Sequence, residues 1–235
     1  MRIVKVAFLA ATMMVATMAF GSDKPSVGVA EFTNETSASW WYSDAGRDLA
    51  GMLTNELASS GKFKIVERAK LSKVLEEQDL AAAGRVNKKT GAKVGKLTGA
   101  QYLVYATVSA FDTNTAGTGG GLSFHGISVG GKKQDAYLAV DLRVVDTTTG
   151  EVEFTRTVEG RATSYGMSGG LSRGGFSGGL GKYENTPTGK AIRGAIIEIT
   201  DYLGCAMVDK NDCLSEYQAK EKSRRDKSKS SLKIE

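Results

Sequence analysis

Residues 135–160, DAYLAVDLRVVDTTTGEVEFTRTVEG, carry the clearest strand pattern of the chain. They read as two β-strands joined by a tight turn, because aliphatic residues alternate with other residues and a period of two places them on one face of a sheet. The turn, DTTTG at 146–150, begins with an aspartate suited to an Asx turn and ends with a glycine that can adopt positive φ. The aliphatic and aromatic residues expected on this face are Leu138, Val140, Leu142 and Val144 in the first strand and Val152, Phe154 and Val158 in the second.

A glycine-rich, almost uncharged segment adjoins each outer end of this hairpin. AGTGGGLSFHGISVGG (116–131) precedes it, and GMSGGLSRGGFSGGLG (166–181) follows it. Loops of this length without secondary structure are uncommon in compact domains, and they are usually functional or disordered. The two segments are therefore either the functional part of the molecule or flexible surface linkers.

The rest of the chain alternates between short strands and amphipathic helices. This alternation predicts an α/β or α+β fold, with a mixed sheet of about five strands covered by helices. The second helix is expected to bury Leu71, Val74, Leu75 and Leu80. Strands are predicted at 24–32, 63–67 and 101–111, and helices at 43–61, 68–83, 91–97 and from Thr186 onward.

The first 21 residues have the organisation of a secretory signal peptide. Arg2 and Lys5 precede an apolar run at 6–19, and small residues flank Phe20 where a signal peptidase would cleave. We predict cleavage after Gly21; the alternative is an uncleaved anchor, although the run is short of the roughly 20 residues that span a bilayer. Because no cysteine stands near this site, we expect an exported protein of the periplasm or outer membrane that is not a lipoprotein.

The charge of the chain gives little support to a nucleic-acid partner. The formal net charge is +5, and removal of Arg2 and Lys5 with the signal peptide leaves +3. Much of this excess lies in residues 215–235, which we expect to form a basic, solvated or disordered tail. A nearly neutral body argues against binding nucleic acid.

Signals for catalysis, cofactors or metals are weak. The single histidine, His125, has no neighbouring acid or cysteine. The segment GAKVGKL at 91–97 lacks the four residues between glycines that a phosphate loop requires, and Leu97 replaces the Ser or Thr that would hold a metal. No cysteine and histidine cluster has zinc spacing. We therefore expect a protein that is not an enzyme and that binds no cofactor or metal.

The two cysteines, Cys205 and Cys213, are close together in the sequence. In an exported protein they are expected to form a disulfide that closes a small loop, because export removes the reducing thiol pool. Two reduced thiols remain the alternative.

The order of four segments resembles the curli secretion-channel family, the CsgG-like proteins. They are VGVAEF (27–32), GRDLAGMLTNELASSGKFKIVERAKLSKVLEEQDLAAAG (46–84), VGKLTGAQYLVYATVSAF (94–111) and AVDLRVVDTTTGEV (139–152). The resemblance covers residues 24–207 and implies a periplasmic α/β body. In channel-forming members two insertions become transmembrane β-hairpins, and several subunits close one outer-membrane barrel. Through it an unfolded amyloid subunit passes by diffusion.

Carried onto this sequence, the family pattern assigns a role to each unusual segment. The body is 22–214, and the insertions fall at 112–134 and 161–185. The resemblance implies that an aromatic loop, Trp40, Trp41 and Tyr42, narrows the pore; the alternative is that the tryptophans pack at the sheet edge. The residues expected in the membrane hairpins are Leu122, Phe124, Ile127, Val129, Met167, Leu171 and Phe176.

The first insertion departs from a regular membrane strand when it is counted along the chain. Leu122 and Phe124 share one parity, and Ile127 and Val129 share the other, whereas a lipid-facing strand has a regular period of two. Two functions stay open. The favoured one is a homo-oligomeric outer-membrane channel for an unfolded protein. The other is a soluble periplasmic module that binds or assembles secreted or envelope proteins.

Overall fold

A computed structural model gives the fold and describes residues 24–124, 127–167 and 185–232. Within these residues, six strands form one sheet, and four helices accompany it. The strands are β1 (Ser26–Val29), β2 (Thr33–Asn34), β3 (Lys64–Ile65), β4 (Tyr102–Phe124), β5 (Ile127–Asp146) and β6 (Val152–Met167). The helices are α1 (Ala45–Ser59), α2 (Leu71–Ala82), α3 (Pro187–Leu203), which continues into a π-helical turn (Gly204–Asp209), and α4 (Cys213–Ser231).

The sheet is mixed, with strand order β3-β1-β4-β5-β6, and β2 pairs with β4 beyond the end of β1. Strands β1, β3 and β4 run parallel to one another, and β2 is parallel to β4. The three long strands β4, β5 and β6 are antiparallel. This architecture confirms the predicted mixed α/β fold, with six strands in place of about five.

The predicted central hairpin forms the middle of the core. Leu138, Val140, Leu142 and Val144 of β5 are all buried to 2% exposure or less, and α1 and α3 contribute leucines and isoleucines to the same cluster. In the turn, Thr148 N–H donates to Asp146 Oδ1 over 2.7 Å, and Gly150 adopts a φ of 75°. The alternation of aliphatic residues and the Asx turn thus correctly predicted this hairpin.

One residue of the hairpin lies on the face opposite to the one expected. Val152 is 50% exposed, whereas the sequence placed it with Phe154 and Val158 in the core. The ladder between β5 and β6 shifts register at Val144 and Val145, so that Val152 pairs with Val145. A bulge of this kind reverses the face of the residues beyond it.

Helix α3 packs closely on β6, and its start is defined by local sequence. Thr186 caps it by accepting a hydrogen bond from Gly189 N–H at 3.2 Å, and Pro187 occupies the first turn. At the crossing point, a Cβ added to Gly160 would lie 2.1 Å from the carbonyl oxygen of Ala191. Glycine is therefore required at 160 for the helix to approach the strand.

Two predictions about the segment between β3 and β4 are wrong. Helix α2 forms, but Val74, Leu75 and Leu80 are 38%, 42% and 40% exposed, and its buried residue is Gln78. Strand β3, which α2 follows, is two residues long, so there is little sheet for the helix to cover. The predicted helix at 91–97 is absent, and Gly95 within it adopts a φ of 76°, which a right-handed helix excludes.

The tail expected to be solvated or disordered is a helix from Cys213 to Ser231, and most of its residues are exposed, so it is solvated but ordered over this range. Lysine, arginine, glutamate, glutamine and alanine are good helix formers, so a composition low in apolar residues is compatible with a helix. Arg224 Nη2 and Glu221 Oε1 form an ion pair at 2.7 Å within the helix. Leu214 and Tyr217 pack against the core cluster and hold the helix to the body.

Candidate functional site

The long strands continue past the body as a paired ladder. Strands β4 and β5 pair from Asp112 with Tyr137 out to Phe124 with Ile127. Strand β6 follows β5 as far as Met167, which pairs with Gly131. The first glycine-rich segment is thus a β-hairpin rather than a loop in the described part of the chain, and the second insertion begins as a third strand beside it.

The register brings together the apolar residues of the first insertion. Leu122 pairs with Val129, and Phe124 pairs with Ile127. Directly paired residues of antiparallel strands lie on the same face of the ladder. All four positions therefore share one face, although their parity differs when it is counted along the chain.

The ladder has two faces of different composition. On β5, the face of Ile127 and Val129 continues through Gly131, which pairs with Met167 of β6. We call the positions Leu122, Phe124, Ile127, Val129 and Met167 the apolar face of the hairpins. The other positions, which we call the polar face of the hairpins, are Ser123, Ser128, Lys132 and Gln134.

The polar face of the hairpins is continuous with the core face of the body. Positions of even number on β5 carry Gln134, then buried Ala136, then buried Leu138, with no register shift against β6 in this region. The helices α1 and α3 therefore lie on the same side of the sheet as the polar face. The apolar face belongs to the opposite side.

Charged groups and an aromatic ring stand at the base of the apolar face. Lys133 Nζ and Asp135 Oδ2 are 3.0 Å apart. Tyr137 Oη donates to Glu159 Oε1 over 3.0 Å, and the Arg161 guanidinium lies 4.8 Å from the centre of the Tyr137 ring. Burial, followed by the hydrogen bond to Glu159, raises the pKa of Tyr137. The apolar positions end at a band of ion pairs and an aromatic side chain.

The aromatic loop contains one core residue and two partly exposed residues. Trp40 is 2% exposed, and its ring makes edge-on contacts with Trp41 at 5.5 Å and Phe111 at 5.7 Å between centroids. Among the described residues, Trp40 Nε1 has no hydrogen-bond partner. Trp41 and Tyr42 are partly buried against the core, and the Tyr42 hydroxyl donates to Asp48. Trp40 is thus packed in the core, which corrects the expectation that all three rings face a pore.

The aromatic loop lies at the base of the polar face of the hairpins. Its contact residue Phe111 is the last residue of β4 before the insertion, and it pairs with Leu138 on the core face. Since this face continues into the polar face, the loop and the polar face lie on one side of the sheet. The sequence contained no signal for this juxtaposition, because it depends on the bulge between Val108 and Ala110.

Helix α4 is fixed beside β6 by contacts that the sequence did not indicate. The Arg156 guanidinium lies 5.0 Å from the ring centre of Tyr202 and 4.8 Å from that of Tyr217, and it donates to the Tyr217 carbonyl over 2.9 Å. Burial raises the pKa of Tyr217 to about 12. On the α3 side, Lys220 Nζ is 3.1 Å from Glu198 Oε1.

A disulfide joins Cys205 at the end of α3 to Cys213 at the start of α4, with a Cα–Cα distance of 6.1 Å. The covalent bond holds the first turn of α4 against the body. His125, Leu171 and Phe176 lie outside the described residues. Within the described ranges, none of the helices combines the length and the apolar character needed to cross a bilayer.

The comparison with protein families gives one match that covers most of the chain. The family described as curli production assembly/transport component CsgG matches residues 9–232. Proteins with that description from Salmonella typhimurium and Salmonella typhi are each 29% identical over 126 residues, which is 52% of this chain and 46% of the relative. The chain spans about half the length of the curated relatives it matches.

Solved structures show only a distant likeness. A hypothetical protein from Chlamydia trachomatis aligns with a TM-score of 0.45 at 15% identity, covering 79% of this chain and 99% of that one. The PelC L103M dodecamer from Paraburkholderia phytofirmans aligns with a TM-score of 0.36 at 12% identity, covering 75% and 83%. Neither likeness bears on function. The match to residues 9–232 confirms the resemblance found in the sequence: the chain belongs to the CsgG family of curli production assembly and transport components.

Proposed function

We propose that this protein is one subunit of an oligomeric outer-membrane channel through which an unfolded protein substrate diffuses. Membership of a family described as curli production assembly and transport components supports a role in curli assembly. The observation that carries the channel is the two-faced hairpin ladder. Its apolar face is suited to lipid, and its polar face is continuous with the side of the body that bears the aromatic loop.

The unpaired edge of β4 requires a strand from another copy. Strand β4 pairs on that edge with β1 and with β2 only as far as Val108, and from Phe111 to Phe124 its described partner is β5 alone. In a bilayer every backbone N–H and C=O must be paired, so strands enter it only as a closed barrel. The hairpins of one subunit can insert only if the next subunit pairs with this edge, so the channel is a homo-oligomeric ring.

The length of the insertion matches a bilayer. The run from Ile127 to Asp135 on β5 is nine residues, and a tilted transmembrane strand needs about 9 to 11. The apolar positions of this run end at Gly131, so in this arrangement Lys133 and Asp135 lie in the headgroup layer. The ion pair of Lys133 with Asp135 and the ring of Tyr137 stand where the apolar face ends. Membrane barrels carry aromatic residues at this level, where the hydrocarbon gives way to the headgroups.

The aromatic loop falls on the water-filled side in this arrangement. If the apolar face meets lipid, the polar face with Ser128 and Gln134 lines the lumen. Trp41 and Tyr42, at the base of the polar face, then narrow the channel. Trp40 has a different role: it packs on Phe111 and fixes the loop to the base of the hairpin.

Aspartate substitutions on the two faces of one hairpin test this proposal. In Leu122→Asp with Phe124→Asp, the charges fall on the apolar face; in the matched control, Ser123→Asp with Ser128→Asp, they fall on the polar face. A charge on the lipid face costs about 2–4 kcal/mol for Arg or Lys at the midplane and less for Asp, and the cost falls toward the interfaces. We expect the first variant to lose membrane flotation and the second to retain it, with both bodies folded by circular dichroism. Equal flotation of the two variants, or a wild type that never floats, contradicts the channel.

The alternative function is a soluble periplasmic module that binds or assembles envelope proteins. One observation favours it: on β5 the apolar face holds Ile127 and Val129, then Gly131, and charges begin at Lys133. Such a small apolar face could also serve as a contact surface for another protein. Wild-type protein that stays in the soluble periplasmic fraction and captures an envelope protein through its hairpins would support the module.

A further inference from the structure

Helix α2 exposes apolar side chains that the body leaves uncovered. Val74 and Leu75 are 38% and 42% exposed, and they lie one turn before the buried Gln78. Residues spaced by three and four share one side of a helix, so the exposed strip borders the body instead of pointing away from it. A second surface placed beside the body would cover this strip.

The same helix is acidic. Over Leu71–Ala82 it carries Glu76, Glu77 and Asp79 against the single cation Lys73, a net charge of −2. Glu76 is paired with Lys73 at 2.9 Å within the helix. Glu77 and Asp79 stand exposed beside the apolar strip.

Helix α4 is basic and has one side turned outward. Its inner side carries Leu214, Tyr217, Glu221 and Arg224, which are only partly exposed. Over Cys213–Ser231 it has six Lys and Arg and three Asp and Glu, a net charge of +3. Lys222 and Lys227 line the same outer surface together with Ala219 and the acidic Asp226, and both lysines are exposed.

The chain attaches these two helices to opposite edges of the sheet. Helix α2 follows β3, the outermost strand on one edge, and α4 lies beside β6, the outermost strand on the other. When hairpins stand side by side in a ring, opposite edges of neighbouring bodies face each other. The contact is then heterologous, with different surfaces on its two sides.

The helix directions suit an antiparallel contact. Helix α2 connects the end of β3 to the start of the parallel strand β4, so it runs against the strands. Helix α4 runs with β6, because its Tyr217 contacts Arg156, and the pKa of its later residue Arg224 is raised first by Glu221 and also by Glu159, which lies further along β6. The two helices of neighbouring copies therefore run in opposite directions.

We propose that α2 of one copy docks against the outer side of α4 of the next. Val74 and Leu75 are covered, and Glu77 and Asp79 face Lys222 and Lys227. This inference rests on the ring of the proposed function and names the surfaces by which its subunits recognise one another. The occupant is a second copy of this chain because the chain itself supplies both complementary surfaces at opposite edges.

Site-specific photo-crosslinking tests the contact in the full-length assembled protein. A benzophenone side chain at Leu75 is compared with one at Ile197, an aliphatic residue of α3 that has the same 42% exposure. Copies labelled with heavy and light isotopes are mixed so that links between copies can be distinguished by mass. We expect Leu75 to give links between copies to residues 213–231, and Ile197 to give none there.

A charge exchange then separates contact from simple proximity. Glu77→Lys with Asp79→Lys should reduce the yield of these links about tenfold, because it places like charges opposite each other. Adding Lys222→Glu with Lys227→Glu should restore it. Rings that form without links from Leu75 to α4, or a charge exchange that restores nothing, overturn the inference and leave the channel standing. Absence of any ring by native mass spectrometry refutes the channel proposal and the inference with it.

Discussion

Replacing Trp40 by alanine should destabilise the body, whereas replacing it by phenylalanine should not. Trp40 is 2% exposed and contacts the rings of Trp41 and Phe111. Truncating a buried aromatic residue to alanine costs about 3–5 kcal/mol of unfolding free energy, and this includes the two ring contacts at about 0.5–1.5 kcal/mol each.

The unpartnered indole nitrogen of Trp40 lowers the expected cost. Trp40 Nε1 is buried with no hydrogen-bond partner among the described residues, and such a group costs about 1–3 kcal/mol. Removing it offsets part of the lost packing, so we expect Trp40→Ala to cost about 2–4 kcal/mol. Trp40→Phe keeps a ring against Phe111 and removes the nitrogen, so its change should stay within about 1 kcal/mol.

Thermal unfolding of the mature protein, followed by circular dichroism, measures both changes. At about 2–4 °C per kcal/mol for a chain of this size, Trp40→Ala should lower the midpoint by roughly 5–15 °C. Trp41→Ala is the control, because Trp41 is only partly buried, and it should lower the midpoint less. Equal midpoints for Trp40→Ala and Trp41→Ala, or a loss in Trp40→Phe as large as that in Trp40→Ala, would show that packing of the Trp40 ring does not stabilise the body in this way.

Three further predictions concern the packing of α3 and α4. Gly160→Ala should lower the unfolding midpoint, because its Cβ would lie 2.1 Å from a backbone oxygen of α3, whereas Gly194→Ala has open space and should leave the midpoint unchanged or higher. Alkylation without reductant should label neither Cys205 nor Cys213, and quantitative labelling would contradict the disulfide. Reducing the bond should lower the free energy of unfolding by roughly 2.5 kcal/mol, from loop-closure entropy. The pKa of Tyr217 is raised to about 12 from 10.0, so the stability contributed by the neutral phenol should be complete below pH 10 and lost as the pH rises to 12. Tyr217→Phe should remove this part of the alkaline unfolding transition. An alkaline unfolding profile that is the same in Tyr217→Phe and in the wild type would contradict the prediction.

The parts of the fold that the sequence predicted are those where periodicity and burial coincide. The hairpin strand with Leu138 and Val140 alternates strictly, and helices α1 and α3 each carry a stripe of apolar residues at helical spacing. Helix α2 shows the limit of this signal. The apolar residues of α2 lie at helical spacing and indicate which side of the helix can be buried. Val74 and Leu75 stay exposed, because the two-residue strand β3 offers little surface for them to cover.

The candidate site was harder to predict because it depends on register. Counting parity along the chain separates Phe124 from Ile127, yet the strands pair these positions and place them on one face. The role of Trp40 depends on Phe111, seventy-one residues later in the chain, which becomes its neighbour only once the sheet has formed. Arg156, which holds α4, gave no signal for the same reason.

Single-channel recording tests whether the assembled protein is a channel narrowed by its aromatic loop. Purified oligomer that has floated with membranes is added to a planar lipid bilayer, and the conductance is compared with that of Trp41→Ala combined with Tyr42→Ala. We predict discrete conductance steps in the wild type and larger steps in the double variant, because removing both rings widens the narrowest part of the lumen. Floating oligomer that gives no steps, or steps of unchanged size in the double variant, would contradict the claim.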